Sequence, residues 1–130
     1  MFTFSKHERL CNKETIAQLY ASPLRTLAFP LSVHWKYTDP SNSKQRLQVV
    51  IVAPKKKLHH AVDRNRTKRI VRECYRTRKP RLLAVLESEN KALVISINYI
   101  HDKTPDFHKT EAVMDRIINE IVSDIKKSNT

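Results

Sequence analysis

The residues whose types and spacing suggest a chemical function lie in one basic stretch of this sequence. Residues 55–81 carry 12 Lys or Arg and two acids, which is +10 of the chain's formal net charge of +12. The rest of the chain is therefore close to neutral. A single concentrated positive segment on a neutral body favours the binding of a polyanion.

The basic stretch also has the period of a helix. At about 100° per residue its residues separate into two sides. The apolar side consists of Ile70, Val71, Cys74 and Tyr75. The opposite side consists of Asn65, Lys68, Arg69, Arg72 and Arg76. Like charges four residues apart destabilise a helix by roughly 0.2–0.5 kcal/mol per pair, so a face shaped only by helix stability would alternate signs. We therefore prefer polyanion binding to the alternative of an ordinary solvated face.

Other chemistries find little support in the sequence. The two cysteines, Cys11 and Cys74, have no partner at metal-ligand spacing and are expected to be buried, reduced thiols. The chain has no glycine, which excludes a glycine-rich phosphate loop. No zinc site or catalytic triad can be argued from spacing. No apolar run approaches the roughly 20 residues of a membrane span. No signal-peptide pattern is seen, so we expect a cytoplasmic protein.

Hydrophobic periodicity predicts the elements that position the basic helix. The predicted strands cover residues 30–37, 47–53 and 92–99. The predicted helices cover residues 60–79 and 107–125, after a first helix or broken pair that ends at 21–22. The order is α-β-β-α-β-α in one domain over residues 1–130. We expect the α+β class, a small α/β sandwich with helices against an antiparallel and mixed sheet.

The connections carry four further expectations. Residues 23–29 are interpreted as a connection, and residues 39–43 as a loop suited to an antiparallel return. The near-continuous apolar character of residues 47–53 predicts a central strand. Pro80 is expected to end the basic helix.

One composite motif resembles a known family. Residues 61–72 read Ala-Val-x-Arg-Asn-Arg-x-Lys-Arg-x-x-Arg, on a helix that follows a strand and the lysine run 55–57. This pattern, with Arg9-Leu10 before the first helix, resembles the bacterial ribonuclease P protein subunit. The order of elements agrees with that family over nearly the full chain.

The resemblance implies a function and an unusual topology. The protein would be the non-catalytic subunit of an endoribonuclease that removes the 5′ leader from precursor tRNA. Its partners would be the ribonuclease P RNA and precursor tRNA, without a membrane, and it would be a monomer in the holoenzyme. Mg²⁺-dependent chemistry would belong to the RNA subunit, with no metal held by protein side chains. The fold would contain a left-handed β-α-β crossover, contrary to the general rule.

The resemblance also implies site residues. The RNA subunit would be bound by Arg64, Asn65, Arg66, Lys68, Arg69, Arg72 and Arg76. A cleft between the sheet and the first helix would hold the leader, where we expect Ile16, Tyr20, Trp35, Lys55, Lys56 and Lys57. The family commonly has an aromatic residue at the place of Ile16, so stacking on a leader base would shift to Tyr20. The aromatic candidates for stacking are Tyr20, Trp35 and Tyr37, and core packing is an equal alternative for each.

Three alternatives remain at this point. A ribosome-associated or other structured-RNA-binding module would use the same basic helix without a role in cleavage. A DNA-binding protein is less favoured, because a strand and not a second helix precedes the basic helix. A protein-only nuclease is least favoured, because no acidic cluster for metal ions is visible.

Overall fold

A computed structural model describes residues 23–38 and 46–127. In chain order the elements are β1 (Arg25–Ala28), β2 (Leu31–Thr38), β3 (Leu47–Val52), α1 (Ala61–Arg76), α2 (Lys79–Ser88), β4 (Ala92–Tyr99) and α3 (Phe107–Lys127). The predicted α+β class is confirmed. The predicted first helix, with Ile16 and Tyr20, lies outside the described residues.

The sheet is mixed, as predicted, with the strand order β1-β2-β4-β3. Strand β2 pairs antiparallel with β1 and β4, whereas β3 pairs parallel with β4. The central position predicted for residues 47–53 is wrong, because within the described sheet β3 pairs with β4 alone. Strand β4 is central instead, and all eight of its residues are buried. Strands β2 and β3 do run in opposite directions, but β4 lies between them.

The connection from β3 to β4 passes through α1 and α2 and joins two neighbouring parallel strands. This is the β-α-β unit to which the resemblance refers. Its left-handed sense stays a prediction.

Strand β1 occupies residues that were predicted to be a connection. Its pairing with β2 runs from Arg25 opposite His34 to Ala28 opposite Leu31. The turn between the two strands is formed by Phe29 and Pro30, joined by a cis peptide bond. Four residues give too few positions for an alternating pattern to be visible, which is why the prediction missed the strand.

The helix boundaries also differ from prediction. Helix α1 ends at Arg76, and Pro80 lies in the first turn of α2. Proline is tolerated there because the backbone N–H groups of a first turn have no partner within the helix. Helix α2 ends in a left-handed turn at Asn90, with φ of 52°. The Lys91 amide donates to the Leu86 carbonyl at 2.9 Å, which closes this turn. Asparagine tolerates the left-handed region better than most residues, so it replaces the glycine that the chain lacks.

The core lies between one face of the sheet and the three helices. Leu31, Val33 and Trp35 of β2 point to this face and are buried. The final helix contributes its apolar side to the same core, to which Met114 and Ile117 belong. Helix α1 packs on β3 and α3, while α2 packs on α3. In the part of the chain that the structure describes, each helix is too short or too polar to cross a membrane.

Candidate nucleic-acid interface

Helix α1 is held firmly by its apolar side. Val71, Cys74 and Tyr75 are buried in the core, and Ile70 is partly buried against it. The predicted orientation of the helix is therefore confirmed. Thr67 is buried as well, and its hydroxyl donates to the Asp63 carbonyl at 2.8 Å. Thr67 lies four residues before Val71 and seven before Cys74, so helical spacing places it on the apolar side, although threonine is a residue type that is mostly exposed.

The opposite side of α1 presents cations to solvent. Asn65, Arg66, Arg69 and Arg72 are exposed, and Lys68 is half-buried. Among the described residues, Arg66, Lys68 and Arg69 form no hydrogen bond or ion pair. Such arginines can bind phosphate oxygens in a bidentate manner, and lysine can bind them as a point charge. The basic helix thus offers cations that folding has not already used.

Arg64 is partly committed to the fold. Its Nη1 donates to the carbonyl oxygens of Leu58 and His59, each at 2.9 Å. These bonds tie the first turn of α1 to the loop before it. The predicted contact of Arg64 with RNA stays a prediction, with only Nε and Nη2 left for it.

Arg76 is paired within the helix. Its Nε and Nη2 donate to the two carboxylate oxygens of Glu73 at 2.8 and 2.5 Å. The hydrogen bond from Arg76 lowers the pKa of Glu73 below its usual value. The pair reduces the positive charge at the C-terminal end of the face. The unpaired cations therefore lie in the middle of the helix, around Arg66 and Arg69.

The lysine run forms an exposed turn directly before α1. The backbone amides of Lys57 and Leu58 both donate to the Pro54 carbonyl at 3.1 Å. The Leu58 side chain is buried in the core and anchors the turn. Lys55 and Lys56 are exposed, as is Lys57. We name residues 54–60 the lysine turn.

Two further arginines of the basic stretch hold α2 against α3. Arg78 is paired with Asp115, and its Nη1 donates to the Cys74 carbonyl at 2.9 Å. Arg81 donates to the Asn119 side chain. The hydrogen bond with Asp115 raises the pKa of Arg78, and the pKa of Asp115 is lowered in turn. Both arginines contribute to the positive charge of the basic stretch, but their side chains hold α2 against α3.

Trp35 lies on the helix-covered face of the sheet. Its residue is 5% exposed, and its indole Nε1 donates to Asp124 Oδ2 at 3.2 Å. The Tyr37 hydroxyl donates to the same oxygen at 2.5 Å. This placement agrees with the core-packing alternative. A contact between Trp35 and the leader stays a prediction that the geometry does not favour.

The other face of the sheet carries polar residues that sequence reasoning did not select. His34 lies opposite Ser96, and both point away from the three helices. Asn98 Nδ2 donates to the Ser96 hydroxyl and to the Ser32 carbonyl, each at 3.1 Å. Burial lowers the pKa of His34, and the nearby charge of Arg25 lowers it further. The alternation of Ser32, His34 and Lys36 between apolar residues was the signal for this polar face.

No group of three or more His, Cys, Asp or Glu side chains that could hold a metal ion occurs within residues 23–38 and 46–127.

These features define an α+β nucleic-acid-binding protein with an exposed basic helix. The family model described as Ribonuclease P matches residues 4–121. The chain belongs to the ribonuclease P protein family.

Bacterial relatives support this assignment. The chain is 32% identical over 127 residues to a ribonuclease P protein component of Porphyromonas gingivalis, covering 98% of this chain and 92% of the relative. It is 30% identical over 125 residues to one of Chlorobium phaeobacteroides, covering 89% and 86%. The fold resembles the solved RNase P protein of Staphylococcus aureus with a TM-score of 0.66 at 17% identity, over 89% of this chain and 96% of the other.

Family membership settles the general role. The chain is a protein subunit in the maturation of tRNA 5′ ends and a part of an endoribonuclease.

Proposed function

We propose that α1 docks on the RNA subunit of ribonuclease P, and that the lysine turn and the polar sheet face hold the 5′ leader of precursor tRNA. The observation that carries this proposal is the set of unpaired cations, Arg66, Lys68 and Arg69, on a helix whose other side is buried. Phosphates neutralised by these side chains release counterions, which drives binding.

The anchoring of α1 matters as much as its charge. Tyr75 is buried, and Arg78 connects the end of α1 to Asp115 of α3. A helix that is already ordered loses little conformational freedom on binding RNA. Its cations are therefore presented at fixed spacing along a path of phosphates.

The leader would cross the end of the sheet. The lysine turn follows β3 directly, and the polar sheet face is formed by neighbouring strands. A single-stranded leader offers both phosphates and unstacked bases. We assign Lys55, Lys56 and Lys57 to its phosphates.

The finer assignments belong to the same proposal. Mg²⁺-dependent hydrolysis is assigned to the RNA subunit, while the protein holds the two RNAs together. The protein acts as a monomer in the holoenzyme and in the cytoplasm. The resemblance of the basic helix to the family motif supports these statements.

The test is cleavage of a precursor tRNA by a bacterial ribonuclease P RNA at near-physiological Mg²⁺ and salt, with and without the protein. We expect the wild-type protein to restore cleavage at the mature 5′ end. The Arg66→Ala protein should restore it less well than the wild type. Arg116→Ala is the matched control, because Arg116 is an exposed arginine on α3.

Two results would contradict the proposal. One is binding of the RNA without any stimulation of cleavage, which would favour a general structured-RNA-binding module. The other is an equal effect of Arg66→Ala and Arg116→Ala, which would remove the special role of α1.

A further inference from the structure

One end of the sheet brings together three segments that are distant in sequence. Leu31 at the start of β2 lies opposite Tyr99 at the end of β4. Strand β3 runs parallel to β4, so Val52 lies beside Asn98 at this same end. The Phe29–Pro30 turn, the residues after Tyr99 and the lysine turn therefore all leave the sheet at one end.

Phe29 forms an exposed aromatic surface at this end. Its residue is 61% exposed, although it is a large apolar side chain. Its ring centroid is 5.0 Å from that of His101, with the planes tilted by 57°. His101 is in turn 6.4 Å from the buried ring of Tyr99. A row of rings thus runs from the core to solvent and ends at Phe29.

The row is supported by polar contacts behind it. The Tyr99 hydroxyl donates to the Lys103 carbonyl at 2.5 Å, which folds the following loop against the strand end. The Ile100 amide donates to the Pro30 carbonyl at 2.9 Å and holds the two segments together. Phe29 and His101 are therefore kept beside each other by backbone geometry.

We propose that Phe29 and His101 form a stacking platform for one unpaired base of the 5′ leader of precursor tRNA. Aromatic rings bind unpaired bases of any type through their faces, and RNA-binding surfaces combine such rings with cations that follow the backbone. The lysine turn supplies the cations at the same end of the sheet. The site rests on the proposed function of the lysine turn in leader binding.

The distances suit a single strand. Phe29 lies in the turn between β1 and β2, and the lysine turn follows β3, two to three strand positions away in the order β1-β2-β4-β3. At about 4.8 Å per strand this is roughly 10–14 Å across the sheet end. A leader whose phosphates contact the lysines can therefore place a base a few nucleotides away on Phe29. A base-paired region cannot do so, because its bases are already stacked.

The test compares variants of Phe29 in the assembled holoenzyme. Phe29→Leu keeps an apolar side chain but removes the ring, whereas Phe29→Tyr keeps the ring. Leu27→Ala is the matched control, because Leu27 is a neighbouring apolar residue that is 70% exposed. The probes are a precursor tRNA with its leader, the same precursor with abasic leader positions, and the mature tRNA without a leader.

We expect Phe29→Leu to weaken binding of the precursor by about fivefold or more, as loss of one stacked base does. Phe29→Tyr and Leu27→Ala should bind within about twofold of wild type on this scale. Binding of mature tRNA and of the RNA subunit should not change. An abasic site at the stacked position should remove the difference between Phe29→Leu and wild type.

Several outcomes would overturn the platform. These are unchanged precursor binding in Phe29→Leu, an equal loss in Leu27→Ala, a loss that persists with mature tRNA, or a loss of affinity for the RNA subunit. Failure of the proposed function looks different, because wild-type protein would then not stimulate cleavage at all. Phe29 is exposed, so each variant should unfold at the wild-type temperature, which thermal melting verifies.

Discussion

Arg64→Met and Arg66→Met remove the same charge from the same turn of α1, yet the structure predicts different consequences for them. Arg64 Nη1 holds the carbonyls of Leu58 and His59, whereas Arg66 is exposed and contacts no other described residue through a hydrogen bond or ion pair. The first substitution should therefore affect folding, and the second should affect RNA binding.

The magnitude for Arg64 follows from its two hydrogen bonds. A hydrogen bond from a charged donor contributes roughly 1.5–3 kcal/mol when buried, and less at a half-exposed site such as this one. We expect Arg64→Met to lower the free energy of unfolding by about 1–2 kcal/mol. For a chain of this size that corresponds to a fall in Tm of roughly 3–8 °C. Arg66→Met should change the free energy of unfolding by less than about 0.5 kcal/mol.

The magnitude for Arg66 is read from the dependence of RNA affinity on salt. Each phosphate contact contributes about 0.7–0.9 to the slope of log K against log salt concentration. Arg66→Met should reduce the slope for the RNA subunit by that amount, and Arg64→Met should reduce it by less.

The assay pairs thermal unfolding, followed by circular dichroism, with binding to the RNA subunit over a range of salt concentrations. Arg116→Met on α3 serves as the control and should leave both the Tm and the slope unchanged. The reasoning is refuted if Arg64→Met keeps the wild-type Tm and reduces the slope as much as Arg66→Met. Arg64 would then bind a phosphate of the RNA and would not stabilise the start of α1.

Three further predictions concern groups away from the RNA face. Burial raises the pKa of the Cys74 thiol to about 11. In a Cys11→Ser variant, alkylation of Cys74 at pH 8 should therefore be slow until denaturant unfolds the chain. Rapid labelling of the native protein would contradict this. The pKa of Asp115 is lowered by its hydrogen bond with Arg78. Its contribution to stability should thus be present at neutral pH and lost as pH falls below the usual carboxylate range. The Tm difference between wild type and Asp115→Asn should shrink in acid, and a constant difference would disagree. Asp124→Ala should leave the indole of Trp35 without its acceptor, lower the free energy of unfolding by about 1–3 kcal/mol and shift the fluorescence of this single tryptophan; an unchanged spectrum would count against the contact.

The sequence predicted the basic helix well because its pattern is long. Sixteen residues of α1 give more than four turns over which apolar and basic sides can separate. The final helix α3, with 21 residues, was predictable for the same reason. Strand β1 has only four residues, so its pairing with β2 depends on contacts that no local pattern reveals.

The wrong position of β3 and the two alternatives left open for Trp35 have a common origin. Apolar residues in succession indicate that a strand is covered, but they do not say which neighbour it pairs with. Strand β3 is apolar yet lies at the edge, while β4 with its Ser96 and Asn98 is central. Alternation placed Trp35 and Tyr37 on one face of β2, but only the structure identifies that face as the one covered by α3. The chemistry of a side chain was thus easier to predict than the surface on which it lies.

The strand order has a consequence for synthesis of the chain. Within the described sheet, the hairpin of β1 and β2 and the strand β3 are joined only through β4, which begins at residue 92. A growing chain therefore completes its basic helix before the strand that closes the sheet has been made. Until then the apolar side of α1 has only part of its core to cover it, since Met114 and Ile117 of α3 are made later still. A nascent protein folds as a unit only when such late segments arrive. The helix that carries the positive charge is thus finished early, but its rigid presentation depends on the last third of the chain.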